Sequence, residues 1–262
     1  MVASSVMRLK APRGVAALAM AAAAVVLAPA SAQRGVTQPA KTSEFHFARM
    51  IYTDLPRQRR FGGGWWRQDW PEAEQHFLQG IKRLTRVDAG DGVTVGLTDD
   101  ELFDFPWLYV TQAGYWDLSD REVAALREYL YRGGFLIADD FFYEDEWQVY
   151  REAMSRLFPG RPMVEIGGDD EVLHVLYDID KFTQIPGRRH IRRFGGSVSV
   201  QSLPPPEWHG IYDDDGRLMV AANFNQDVGD AWEHADDPYY PEPMTALAYR
   251  FGINYIIYAM TH

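Results

Sequence analysis

Four successive apolar residues, Phe135-Leu136-Ile137-Ala138, stand between Gly133-Gly134 and Asp139-Asp140. A strand without polar alternation has no face for water, so it belongs inside a sheet covered on both sides, and such sheets are parallel. Trp107-Leu108-Tyr109-Val110-Thr111, β-branched and aromatic, reads the same way. Parallel neighbours need long crossovers, which are usually helices. Between these two strands Ser119 and Glu122 form a capping box ahead of Val123, Leu126 and Leu130, which share one helical face.

The rhythm extends in both directions. Residues 44–52 alternate apolar with polar and predict a first strand. Asp69 ahead of Trp70-Pro71-Glu72 predicts an N-cap and an early-helix proline, with the helix reaching Leu84; residues 93–97 predict a short strand. Residues 146–158 continue as a helix. Asp213-Asp214-Asp215-Gly216 between apolar runs predicts a hairpin over 211–220, and residues 244–260 a closing helix on the sheet. The expected fold class is α/β: a three-layer, mostly parallel, doubly wound sheet with an added β-hairpin, forming a single domain over 44–262. With 262 residues, 47 % of them hydrophobic, the chain can fill such a core, which excludes disordered, collagenous and coiled-coil architectures.

Residues 1–32 read as a secretory signal peptide. Arg8, Lys10 and Arg13 make a basic start without acids, residues 15–27 are an unbroken apolar run, and Pro29-Ala30-Ser31-Ala32 offers a helix breaker and an Ala-x-Ala cleavage pattern. The run is short for a membrane span, which needs about 20 residues. Retention as an uncleaved anchor is the alternative. Residues 33–43 are a polar lead. Cleavage would remove three positive charges and no negative ones, taking the formal charge from −11 to −14. The expected protein is acidic, exported to the periplasm or beyond, and without a transmembrane segment after cleavage. Its charge argues against nucleic acid as a partner. Without cysteine there is no disulfide, thiolate metal ligand, iron–sulfur cluster or cysteine nucleophile.

Several stretches in order resemble the domain of unknown function 4159 family: Phe45-His46-Phe47-Ala48-Arg49, Gly64-Trp65-Trp66, Pro71-Glu72-Ala73-Glu74, Phe105-Pro106-Trp107-Leu108-Tyr109, residues 133–141, Asp227-Val228-Gly229-Asp230-Ala231-Trp232 and residues 252–259. The resemblance covers nearly all of the chain after the leader. It implies a fold similar to the class I glutamine amidotransferase-like, flavodoxin-like superfamily, and no known activity. Amidotransferases carry a cysteine nucleophile; this chain has none, so glutaminase chemistry by that route is excluded.

Ligands of open parallel sheets bind outside the carboxyl ends of the strands. There Asp139 and Asp140 could bind a hard cation, act as a base or accept hydroxyl groups; equally, Asp139 could cap a turn and Asp140 be solvated. A second candidate is Asn223, Asn225, Asp227, Asp230, Trp232 and Glu233. This segment is oxygen-rich, but its glycine stands one place late for an EF-hand and His234 occupies the place of the bidentate Glu. Asx-turns are the alternative, and a looser metal site would draw on Asp140 and Asp227. The expectation is that this segment closes over the same pocket as Asp139 and Asp140. A third candidate is Trp65-Trp66 after Gly62-Gly63-Gly64, for stacking on a sugar or peptide, with packing as the alternative.

No His-x-x-x-His, Gly-x-Ser-x-Gly or Gly-x-Gly-x-x-Gly pattern occurs. His174, between apolar residues, reads as a satisfied histidine. The basic run Arg188-Arg189-His190-Ile191-Arg192-Arg193 reads as a solvated loop or a dock for an acidic partner. No cofactor is required by the sequence. Two functions stay open: a non-catalytic envelope domain that binds a ligand or partner, and a carboxylate- or metal-assisted hydrolase of glycans or peptides. Lack of a recognisable nucleophile–base pair favours the first.

Overall fold

The computed structural model describes residues 43–180, 183–194 and 197–262. The expected signal peptide, and the polar lead apart from Ser43, lie outside the described residues.

A seven-stranded sheet runs through the middle. Its strands are β1 (Ala48–Ile51), β2 (Val93–Gly96), β3 (Trp107–Thr111), β4 (Phe135–Phe141), β5 (Val164–Glu165), β8 (Glu207–Tyr212) and β9 (Leu218–Phe224), in the order β2-β1-β3-β4-β9-β8-β5. The first five in that order are mutually parallel; at one edge β8 adds antiparallel to β9, and β5 antiparallel to β8. The expected hairpin is therefore built into the main sheet. A separate antiparallel pair, β6 (Ile191–Phe194) with β7 (Ser197–Val200), lies where no hairpin was expected.

Two hydrophobic layers sandwich the sheet. Alternate residues of β3 and β4 supply them: Trp107, Tyr109, Phe135 and Ile137 point to one side, Leu108, Val110, Leu136 and Ala138 to the other. The first layer is closed by α1 (Glu72–Leu84), α4 (Val228–Glu233) and α5 (Glu242–Thr261), the second by α2 (Asp120–Tyr131) and α3 (Tyr143–Leu157). The capping box forms as expected, Ser119 Oγ accepting from the Glu122 amide and the Glu122 carboxylate from Ser119 N. Asp69 does not cap α1 with its side chain: its φ is +62°, its carbonyl accepts from Ala73 N, and Pro71 holds the cap position. That leaves the Asp69 carboxylate for another use. Among the described residues no helix is long and apolar enough to cross a membrane.

β4 runs three residues beyond its apolar stretch, through Asp139 and Asp140 to Phe141, all buried. Ala138 pairs with Ala222 and Phe141 with Phe224, so one residue of β4 is extra, and Asp140 has φ +52°. This is a β-bulge. It resets the alternation: Phe141 returns to the layer of Ala138, three residues away instead of two. The two carboxylates thus leave the strand in different directions.

Candidate functional site

Asp139 continues the face of Tyr109 and Ile137, where the short helix α4 lies against the end of the sheet. The Gly229 amide donates to Asp139 Oδ2 at 2.9 Å and the Tyr109 hydroxyl to the same oxygen at 3.0 Å; Asn223 Nδ2 donates to Oδ1 at 3.2 Å. Asn223 is itself fixed by the Tyr255 hydroxyl, which donates to its Oδ1 at 2.8 Å. Neither a turn cap nor a solvated side chain describes this residue. Asp139 is a buried clasp joining β3, β4, β9 and α4.

Asp140, displaced by the bulge, accepts from Gln112 Nε2 and pairs with Arg189 Nη2 at 3.0 Å. Arg189 belongs to the basic run read from the sequence as a solvated loop or a dock for an acidic partner. Its partner is internal instead: the segment folds over the carboxyl edge of the sheet, with Arg189 half-exposed and Arg188 paired to Asp237 at 3.1 Å. His190 is buried beside Phe142, with ring centres 5.0 Å apart.

The segment 223–233 reaches the same place. Asp227 caps α4, its Oδ1 accepting from Asp230 N at 3.0 Å, and Asp230 Oδ2 accepts from Arg188 N at 2.6 Å. Glu233 stands beside Asp230 and Asp69, and His234 lies 3.8 Å from Asp230 Oδ1 and 3.6 Å from Glu233. Asp69, delivered by the loop ahead of α1, offers an oxygen within 4.8 Å of oxygens from both Asp227 and Asp230. Arg49 on β1 holds that loop. Its Nε donates to Glu74 and its Nη1 to the carbonyls of Trp66 and Gln68, at 3.1 and 2.9 Å.

Other sequence candidates have different roles. Asn225 is structural, Oδ1 accepting from Tyr143 N and Nδ2 donating to the Pro205 carbonyl. Trp232 is a core residue, stacked on Phe77 with ring centres 4.2 Å apart. Trp65 stacks on Tyr115 at 4.6 Å with Arg60 over its ring, and Trp66 packs near Trp70. Both are partly buried on the loop that leads to Asp69.

Asp69, Asp139, Asp140, Asp227, Asp230 and Glu233 thus share one end of the sheet, the first five of them buried. Burial pushes the Asp139 carboxyl up to about 6 against its three donors, and Asp140 up to about 7 against the pull of Arg189. Burial and neighbouring carboxylates push Asp69 and Asp227 well up too, and Glu233 to about 7. The arrangement favours uptake of positive charge, as protons or as a cation. Asp69, Asp139, Asp140, Asp227 and Asp230 are each at most 7 % exposed, so they offer little surface to a sugar ring or peptide.

Sequence reasoning missed Asp69, Arg49, Tyr109, Gln112 and Arg189. Asp69 had one readable signal, since an aspartate directly before Trp-Pro is not confined to capping.

The domain of unknown function 4159 model matches residues 46–260. The chain belongs to that family. No curated protein matches it.

Proposed function

We propose that this member of the family is a non-catalytic binding domain, exported to the cell envelope, that takes a cationic ligand at the carboxyl edge of its sheet. One observation carries the reading. Six carboxyl groups converge there, while among the described residues the ion pairs within the group are one with Arg189 and the longer ones with His234. A buried excess of negative charge calls for positive charge to be stable. The position is also where open parallel sheets bind their ligands.

The parallel strand order β2-β1-β3-β4-β9 supports a flavodoxin-like scaffold related to the class I glutamine amidotransferases, with β9 as fifth strand. The basic, apolar and small-residue succession over residues 1–32 supports export to the periplasm or beyond.

A second reading, acid–base hydrolysis of a glycan or peptide, is favoured by a single observation: an Asp140 carboxyl that titrates at about 7 could trade protons near neutrality. The burial of Asp140, 1 % exposed, weighs against it.

A thermal-shift screen of the purified protein against divalent cations, polyamines, neutral sugars and cell-wall fragments tests the choice, since a ligand that binds only the native state raises Tm. Stabilisation by cations alone is expected. Stabilisation by a neutral glycan or peptide that is then consumed would replace this reading with the hydrolase.

A further inference from the structure

We infer that Asp69, Asp227 and Asp230 coordinate one hard divalent cation of the size of Ca2+. The inference rests on the cationic-ligand reading above and gives that ligand a chemical class and an address.

The geometry comes first. Oxygens bound to one Ca2+ at about 2.4 Å cannot lie farther apart than about 4.8 Å, twice the bond length. One oxygen from each of the three aspartates meets that limit against both of the others. All three donors are carboxylates, which suits Mg2+ and Ca2+ rather than the softer metals that seek nitrogen or sulfur.

The second observation is an unmet need. Each aspartate holds the chain through one oxygen: Asp69 Oδ1 accepts from Gln68 Nε2 at 2.6 Å, Asp227 Oδ1 from Asp230 N and Asp230 Oδ2 from Arg188 N. Asp69 Oδ2, however, has no donor, although it is buried in a residue only 6 % exposed. Its direction is known, because a Cβ on Gly229 would meet it at 3.0 Å and the Tyr109-bound Asp139 Oδ2 at 3.7 Å. It therefore lies against the turn of α4 at Gly229, between Asp227 and Asp230 in the chain. A buried carboxylate oxygen without hydrogen or cation is costly.

The surroundings fit a small ion. Gly187 and Gly229 approach the carboxylates so closely that any Cβ at Gly187 would collide with Asp227. Glu233 lies against Asp69 and Asp230 as a further oxygen donor, partly open to solvent.

The test uses purified protein stripped with a chelator and titrated separately with MgCl2, CaCl2, terbium(III) and spermidine. Binding to the native state at a hundredfold excess over Kd should raise Tm by about 5 to 10 °C. Terbium emission excited through protein aromatic groups should appear at the same site and be displaced by Ca2+. Asp69→Asn and Asp230→Asn should each weaken binding at least tenfold. Their stripped forms should melt no lower than wild type, since each loses a repelled charge, so lost binding will not be confused with lost folding. Asp214→Asn on the exposed hairpin turn should bind as wild type. A response to spermidine without any to the metals would overturn this inference and leave the cationic-ligand reading standing. Silence towards all four would overturn both. Metal binding unchanged in both site variants would place the ion elsewhere and overturn the inference.

Discussion

The hairpin turn Asp213-Asp214-Asp215 and the cluster of Asp69, Asp227 and Asp230 each bring three aspartates together, and they treat them oppositely. On the turn, Asp213 accepts from the amides of Asp215 and Arg217 at 3.0 and 2.9 Å and pairs with the Arg217 guanidinium at 3.0 Å. Asp214 meets Arg161 at 2.7 Å with its side chain 90 % exposed. What little burial Asp213 has raises its pKa; the Arg217 amide and guanidinium outweigh that and hold it below the usual range. In the cluster burial dominates, and Asp69 and Asp227 are held far above it. Acid density by itself therefore says nothing about binding. Burial and the supply of donors decide it.

The sharpest way to break this contrast is Asp139→Ala. It would leave the Gly229 amide, the Tyr109 hydroxyl and the Asn223 amide buried without their acceptor, and a loss of about 3 to 5 kcal/mol is expected in urea denaturation. A loss below 1 kcal/mol would make Asp139 energetically like the turn.

Next is the pH profile of chelator-treated protein. Burial pushes the Asp139 and Asp140 carboxyls up to about 6 and about 7 in the folded protein, from an ordinary value of 3.8. Above about pH 4 the unfolded chain has lost protons the folded chain still holds. This contribution is thus fully present below pH 4 and is lost as pH rises through 6 and 7. Chemical denaturation should show stability falling on the order of a few kcal/mol between pH 5 and pH 8. A flat or rising profile would mean the cluster already has its positive partner.

Smaller effects belong to the turn. Asp213→Ala should cost about 1 kcal/mol, through two backbone bonds and a partly exposed ion pair. Asp214→Ala should change stability by less than about 0.5 kcal/mol, because its ion pair is exposed.

Much of the scaffold was legible because its signals are local. The Ser119–Glu122 box, the apolar stretch of β4 and the Asp-Gly turn are each written within a few residues. The end of β4 was not legible. Two aspartates read as an exit from the sheet; partners from β3, β9 and α4 make Asp139 tolerable inside it, and Gln112 and Arg189 do so for Asp140. Asp139, Asp140, Asp227 and Asp230 were picked out from the sequence as oxygen-rich strand-end residues. Asp69 was not, because its use depends on a left-handed turn and on residues more than 150 positions away. Arg189 was hidden for a related reason: a run of basic residues looks solvated until its partner, 49 positions upstream, is known.

Between β5 and β8 the chain makes a long excursion, residues 166–206, that carries Arg188 and Arg189 over the acidic edge and is pinned there by Ile185, whose amide donates to Gln226 Oε1 and whose carbonyl accepts from Asp227 N. In the unfolded chain these acids are strangers, scattered from position 69 to position 233. Their mutual repulsion comes into being only as distant loops close. Folding therefore gathers charges that the open chain keeps apart, and a cation held among them would offset that cost in the folded state alone.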